Sequence, residues 1–307
     1  MRFRTDLCNI KIKLQSSYAV KNTRSYAAIA YLFLAPALIL MGVFTFWPVG
    51  FNTYLAFQDY SIADGTATWN NFAHFKYIFH EELFWNALKN SLLYLLIVPV
   101  IQLGALVLAK LVNNKLPGMT FFRATFYIPV ITSISIAGVV WIYVYKYDGM
   151  LTWLLTSLGL LHEQIDWLGE PKIALYMMMI FTFWKGIGYY MVLYLAGLQA
   201  IPSEVEEAAV LDGANAWQRF WKITVPMVKP TILLCTLLST IAAIKVMQEP
   251  IVLTKGGKGD TYTALFYVYD QAFRNFNFGR AAAAGLVITF FCVLLAIIQF
   301  RFFGEKK

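Results

Sequence analysis

Apolar residues run along this chain in six long stretches separated by polar segments, and each stretch is about long enough to cross a bilayer. A helix rising 1.5 Å per residue needs roughly 20 apolar residues to cross about 30 Å of hydrocarbon. The pattern predicts spans at Tyr26–Trp47, Ala87–Ala109, Thr125–Tyr145, Ile173–Leu198, Pro230–Met247 and Ala281–Phe303. The fifth is the shortest, because Lys245, Gln248 and Glu249 crowd its end. Pro36, Pro99 and Pro129 lie inside spans, where neighbouring helices can satisfy the carbonyls a proline frees. The first apolar run exceeds the roughly 7–15 residues of a secretory signal core and is followed by no small-residue cleavage site, so it reads as an uncleaved span.

Composition agrees with that pattern. Hydrophobic residues make up 59% of the 307 and charged residues only 14%, with a mean hydropathy of +0.60. A soluble domain carries about 25% charged residues. Basic residues are placed as membrane topology demands: of 25 Lys and Arg, fifteen fall in the amino-terminal segment, the carboxyl end and the loops after the second and fourth spans. The longer segments at about 48–86, 146–172 and 248–280 hold seven, Lys89 lies at the outer end of the second span, and two lie deeper within spans. The positive-inside rule then puts both termini in the cytoplasm. Aromatic clusters at Phe46-Trp47 and from Trp141 to Tyr147 suit the outer interface. The net charge of +8 is spread between apolar runs, not gathered beside stacking aromatics, which argues against nucleic acid. Cys8, Cys235 and Cys292 are few, odd in number and far apart, giving neither a disulfide framework nor a metal site. The expected organisation is an all-α polytopic protein: an amino-terminal segment over 1–25, a first span over 26–48, and a five-helix core over 86–303.

The loop between spans four and five, 200–226 (AIPSEVEEAAVLDGANAWQRFWKITVP), has its own local logic. Ser203 with Glu206 has the spacing of a capping box. A helix is expected over about Glu204–Asp212, ending at Gly213, a residue suited to a left-handed C-terminal position. Asn215 is placed to cap a second short helix that ends before Pro226. The product is a short acidic helix, a glycine break and a second helix, with small residues Ala208 and Ala209 permitting close approach by a partner. Glu206 and Glu207 offer anionic partners to basic groups. The same pattern also suits an ordinary interfacial helix between two spans.

Two ionisable groups lie within spans, where they are costly and usually face a cavity or a partner. Lys185 is near the middle of span four with no acid nearby in sequence. Lys245 is four residues before Glu249, so the two are expected to share a helix face and pair.

Glu207-Ala208-Ala209, Asp212-Gly213-Ala214, Phe220, Ile223, Pro226 and Pro230 resemble the EAA loop of ABC importer permeases, with Val225 where that pattern has leucine. The resemblance extends over nearly the whole chain to sugar-type permeases related to the maltose importer. It is carried by FLAP at 33–36 with Trp47-Pro48, FWNALKN at 84–90, FFR at 121–123, LAGLQAIP at 195–202, LTKGG at 253–257 and FGRAAA at 278–283. The resemblance implies a type I importer permease fold of six transmembrane helices in a bacterial or archaeal plasma membrane. It implies a second, unlike permease subunit, two cytoplasmic ATPase subunits and an extracytoplasmic solute-binding protein as partners. Glu206, Glu207, Ala208, Ala209, Asp212, Gly213 and Pro226 would form the coupling element. The chain has no G-x-x-x-x-G-K-[ST] sequence, so ATP and Mg would sit on the partner ATPase and this subunit would catalyse nothing.

A sugar path wants aromatic planes beside hydrogen-bonding groups. Span four supplies Thr182, Trp184, Lys185, Gly186, Tyr189, Tyr190 and Tyr194, with Lys245 a candidate on span five. Aligned on Ala200–Pro202, the family's substrate-contacting positions fall on Thr182, Gly186 and Tyr189, and on Ala242, Ala243 and Val246, where polar groups are missing. A basic Lys185 beside that face suits an anionic sugar. The competing class, an ion-gradient-driven transporter, would call for inverted repeats and helices broken near the midplane. Neither stands out in the sequence.

Overall fold

The computed structural model describes residues 29–60, 66–114, 116–257 and 260–303. The expected amino-terminal segment 1–25, Cys8 and the first three residues of the first predicted span lie outside the described residues. The chain divides into two compact units, Met1–Leu55 and Ala56–Lys307.

In the first unit, helix α1 (Ile29–Leu55) continues eight residues past the predicted end at Trp47. Its turn widens to a π-helix at Gly42–Phe46, just ahead of Pro48. A proline ring collides with the carbonyl four residues earlier, and an irregular turn at that carbonyl relieves the collision. The second unit repeats the device twice.

That unit begins with a short antiparallel ribbon, β1 (Gln58–Tyr60) with β2 (Ala67–Trp69), which an all-α expectation does not contain. Helix α2 (Ala73–His80) follows, then α3 (Glu82–Val112), whose 3-10 turn at Tyr94–Leu96 precedes Pro99. Next come α4 (Met119–Ile131), α5 (Ile134–Val144) and the short α6 (Met150–Ser157). The long α7 (Ala174–Gln199) leads to α8 (Ser203–Leu211) and α9 (Ala216–Met227), the latter with a π turn at Phe220–Thr224 ahead of Pro226. The chain ends with α10 (Lys229–Ile244), α11 (Gln248–Leu253), α12 (Ala264–Phe273) and α13 (Phe278–Phe303).

Among the described residues four helices are long and apolar enough to cross a membrane, and six spans result if each bent pair is counted as one. Of the two bent pairs, only the first departs from the expectation of continuous helices, since a loop helix separate from span five was expected at the second. Span three is broken between α4 and α5 at 96°, and α9 meets α10 at 72°. A broken span, the feature associated with the rival transporter class, is thus present, though the sequence did not display it.

The break in span three has identifiable causes. Pro129 removes one N–H from α4, and Thr132 leaves the helix in extended conformation, ψ 136°. The last carbonyls of a helix then need outside partners. Lys185 Nζ on α7 donates to the carbonyls of Pro129 at 3.0 Å and Thr132 at 2.6 Å, with Val130 at 3.5 Å. Gly188, one turn further along α7, lets α4 come close: a Cβ there would lie 2.0 Å from the Phe126 carbonyl oxygen. The end of α3 is closed the same way, Arg123 donating from Nε and Nη2 to the Val112 carbonyl at 3.1 and 2.6 Å. A cation at a helix C-terminus also faces the negative end of the macrodipole.

Two apolar cores form along α7. One gathers Tyr94, Met178, Phe181 and Tyr145, the other Ile101, Ala105, Met191, Tyr194 and Cys235. Both draw on α3 and α7, the most closely packed helix pair among the described residues.

Candidate coupling loop and transport cavity

The loop between α7 and α10 begins at Pro202, whose extended ψ of 136° turns the chain off the end of α7. Helix α8 starts at Ser203, but its N-cap makes no side-chain hydrogen bond, so the expected Ser203–Glu206 capping box does not form. Glu206 is instead drawn to Lys110 at the end of α3, and the two form a salt bridge. A tertiary partner of full charge wins over a local backbone amide. Gly213 follows α8 with φ +76°, and its amide donates to Val210 in a Schellman-type closure while Ala214 donates to Ala209. Asn215 caps α9 in a complete capping box with Gln218: each side chain bonds the other's backbone amide, at 2.8 and 3.0 Å. Helix α9 does not stop before Pro226 as expected. Its π turn lets the helix run through that proline to Met227.

One face of this loop is held and the other is bare. Ala209 is buried, whereas Glu207, Ala208 and Asp212 are exposed. Leu211 is 88% exposed and Trp217 71%.

At mid-length α7 borders a cavity of about 290 Å³. Its wall is built from Tyr94, Ile97 and Ile101 of α3, Val130 and Ile134 flanking the break in span three, and Thr182, Lys185, Gly186, Tyr189 and Tyr190 of α7. Ser239, Ala242 and Ala243 of α10, Val246, and Gln248 and Glu249 of α11 complete it. Thr182, Lys185, Gly186 and Tyr189 follow an i, i+3, i+4, i+7 spacing, which places them on one helix face. Tyr94 OH lies 2.6 Å from Thr182 Oγ1, and Thr182 Oγ1 lies 3.5 Å from Glu249 Oε1. A buried polar network ties the three helices together beside the cavity. Gln102 of α3 donates to Ser239 Oγ of α10 at 2.8 Å and accepts from Tyr194 OH of α7 at 2.7 Å.

Residues 106–303 match the family described as "Binding-protein-dependent transport system inner membrane component". The chain belongs to that family. Curated relatives of this transport family include the "Probable ABC transporter permease protein YurN" of Bacillus subtilis (strain 168), 33% identical over 91% of this chain and 97% of the relative. The "Lactose transport system permease protein LacF" of Rhizobium radiobacter is 32% identical over 92% of this chain and 97% of its own length. A chain in the crystal structure of a bacterial ABC transporter involved in the import of the acidic polysaccharide alginate superposes with a TM-score of 0.76 at 22% identity, covering 91% of this chain and 96% of that one. The fold is therefore that of the ABC importer permeases.

In this inner-membrane component the expected pathway residues divide. Thr182, Lys185, Gly186 and Tyr189 meet at the cavity, together with Ala242, Ala243 and Val246 of the fifth span. Trp184 does not: it packs on Trp141 at 5.4 Å and lines a separate, almost wholly apolar cavity of about 740 Å³ with Phe126, Pro129 and Phe183. Lys245 is also outside the cavity wall, exposed at the C-cap of α10. The expected Lys245–Glu249 pair fails because the helix ends between them, so the four-residue spacing no longer sets a common face. Glu249 turns to Thr182 and shares the cavity with Lys185. Tyr94, Ser239 and Gln248 were not picked out from the sequence. The run Gln248-Glu249-Pro250 at the end of an apolar stretch is the one local sign that the helix breaks there to present polar groups.

Proposed function

We propose that this chain is one permease half of an ATP-driven importer for a sugar or oligosaccharide in the plasma membrane. Both termini face the cytoplasm, an unlike second permease completes the path, and a solute-binding protein delivers substrate from outside. Two cytoplasmic ATPase subunits hold ATP and Mg, and this subunit transmits their closure without catalysing a step. Relatives whose names include a lactose transport permease support carbohydrate as the cargo.

The observation that carries the reading is mechanical. The exposed loop of α8, Gly213 and α9 is joined to all three helices that frame most of the cavity. It continues directly from α7, it feeds directly into α10, and Lys110–Glu206 fastens it to α3. Force applied to Glu207, Leu211 and Trp217 by an ATPase groove reaches α3, α7 and α10 together, so the cavity wall moves as the loop moves. Copurification tests this. A tagged chain brings down an ATPase subunit, and Glu207→Lys with Gly213→Val abolishes both that capture and ATP-dependent sugar uptake while the chain stays in the membrane. Retention of both would refute the reading.

A further inference from the structure

The cavity beside Lys185 and Glu249 also carries information on the charge of its cargo. Among the described residues that line it, these are the only two charged side chains. Their charges are opposite, so an anion entering meets no net attraction. The hydrogen bonds sharpen the point. A lysine ammonium has three protons and no lone pair. Two of those of Lys185 are taken by the carbonyls of Thr132 and Pro129, at 2.6 and 3.0 Å, and the third has the Val130 carbonyl at 3.5 Å, so the backbone claims the ammonium first.

Glu249 is in the reverse condition. Tyr94 OH lies 3.1 Å from the Met178 carbonyl and 2.6 Å from Thr182 Oγ1, a contact that either hydroxyl can donate. The side-chain donor that reaches Glu249 is Thr182, whose Oγ1 lies 3.5 Å from Oε1. With that long contact and its own backbone N–H as partners, the Glu249 carboxylate keeps acceptor capacity toward the cavity it lines. An ionised carboxylate offers about four lone-pair sites and donates nothing. Tyr189 and Tyr190 stand in the same wall with flat ring faces.

From this arrangement we infer that the cavity selects an uncharged saccharide and that Glu249 is its specificity-determining residue, accepting hydroxyl protons from the sugar while Lys185 serves the protein's own backbone. A neutral polyol supplies donors for Glu249 and an apolar ring face for the tyrosines. An acidic sugar brings its charge next to Glu249 and must compete with backbone carbonyls for Lys185. The inference rests on the importer reading, and the following experiment separates the two. The importer with its binding protein is reconstituted in proteoliposomes and offered a hydrolysate holding neutral gluco-, galacto- and xylo-oligosaccharides beside oligogalacturonates and sulfated oligosaccharides. The internalised sugars are identified by mass spectrometry. Neutral sugars are expected inside. Glu249→Gln should cut their uptake about tenfold at equal abundance in the membrane, the size expected for one charge-assisted hydrogen bond. Glu249→Asp, which keeps the charge, should recover part of it. Internalisation of acidic sugars, or unchanged neutral uptake in Glu249→Gln, overturns the assignment. Uptake that continues without ATP overturns the importer reading instead, while the charge class is still read from the same spectra.

Discussion

Replacing Lys185 with methionine tests what holds span three in its bent shape. Methionine keeps an unbranched apolar chain but removes the ammonium that closes the end of α4. Two of its three hydrogen bonds are short, at 2.6 and 3.0 Å, and the third is long, at 3.5 Å. A hydrogen bond to a charged group contributes about 1.5–3 kcal/mol when fully buried. Lys185 is only half-buried beside a cavity that admits water, so about 1 kcal/mol for each short bond is the better figure, or roughly 2 kcal/mol in all. At about 1.4 kcal/mol per factor of ten, that raises the population with the α4–α5 junction opened about 30-fold. Spin labels at positions 122 and 143, both exposed and on opposite sides of the break, report the angle directly through their distance distribution. Wild type should give one narrow distance set by the 96° bend. Lys185→Met should broaden it toward longer distances, and Lys185→Arg should restore most of it. A methionine variant with the wild-type distribution and unchanged uptake would show that Pro129 and packing alone hold the bend, and the reasoning from carbonyl satisfaction would fail.

Two further perturbations probe the same framework. Gly188→Ala places a methyl where the Phe126 carbonyl oxygen already sits 2.0 Å away. Backbone cannot yield as a side-chain tip does, so α4 must move at a cost of about 1–3 kcal/mol, seen as a lower melting temperature in detergent; an unaltered melting curve would contradict the close approach. Lys110→Met breaks the tie from α3 to α8. The pair is partly exposed, with side chains 34% and 45% accessible, so less than about 1 kcal/mol of stability is lost. Uptake should nonetheless fall several-fold while ATPase capture persists, because one of three links from loop to cavity is gone. Equal losses of capture and uptake would assign the pair to docking.

What the sequence determined by itself is local in origin. The apolar runs that announce membrane helices, the Asn215 cap and the left-handed Gly213 all depend on residues within a few positions of one another. Hydrophobic length, cap chemistry and the freedom of a residue without Cβ decide such features before any packing is known. The loop motif was legible for the same reason. The cavity was only half legible: the spacing of Thr182, Lys185, Gly186 and Tyr189 marks one face of α7, but not which face meets a void. Tertiary structure alone decided that Trp184 packs on Trp141, that α10 ends before Lys245 can pair with Glu249, and that Glu206 forsakes its cap for Lys110. It also decided that Lys185 closes the end of a helix 53 to 56 residues earlier in the chain. In each case a charge or ring had a plausible local partner or none, and a distant helix supplied a better one. In the dry interior of a membrane protein an unsatisfied carbonyl or ammonium is costly. The packing that brings distant donors and acceptors together therefore overrides what neighbours in sequence suggest.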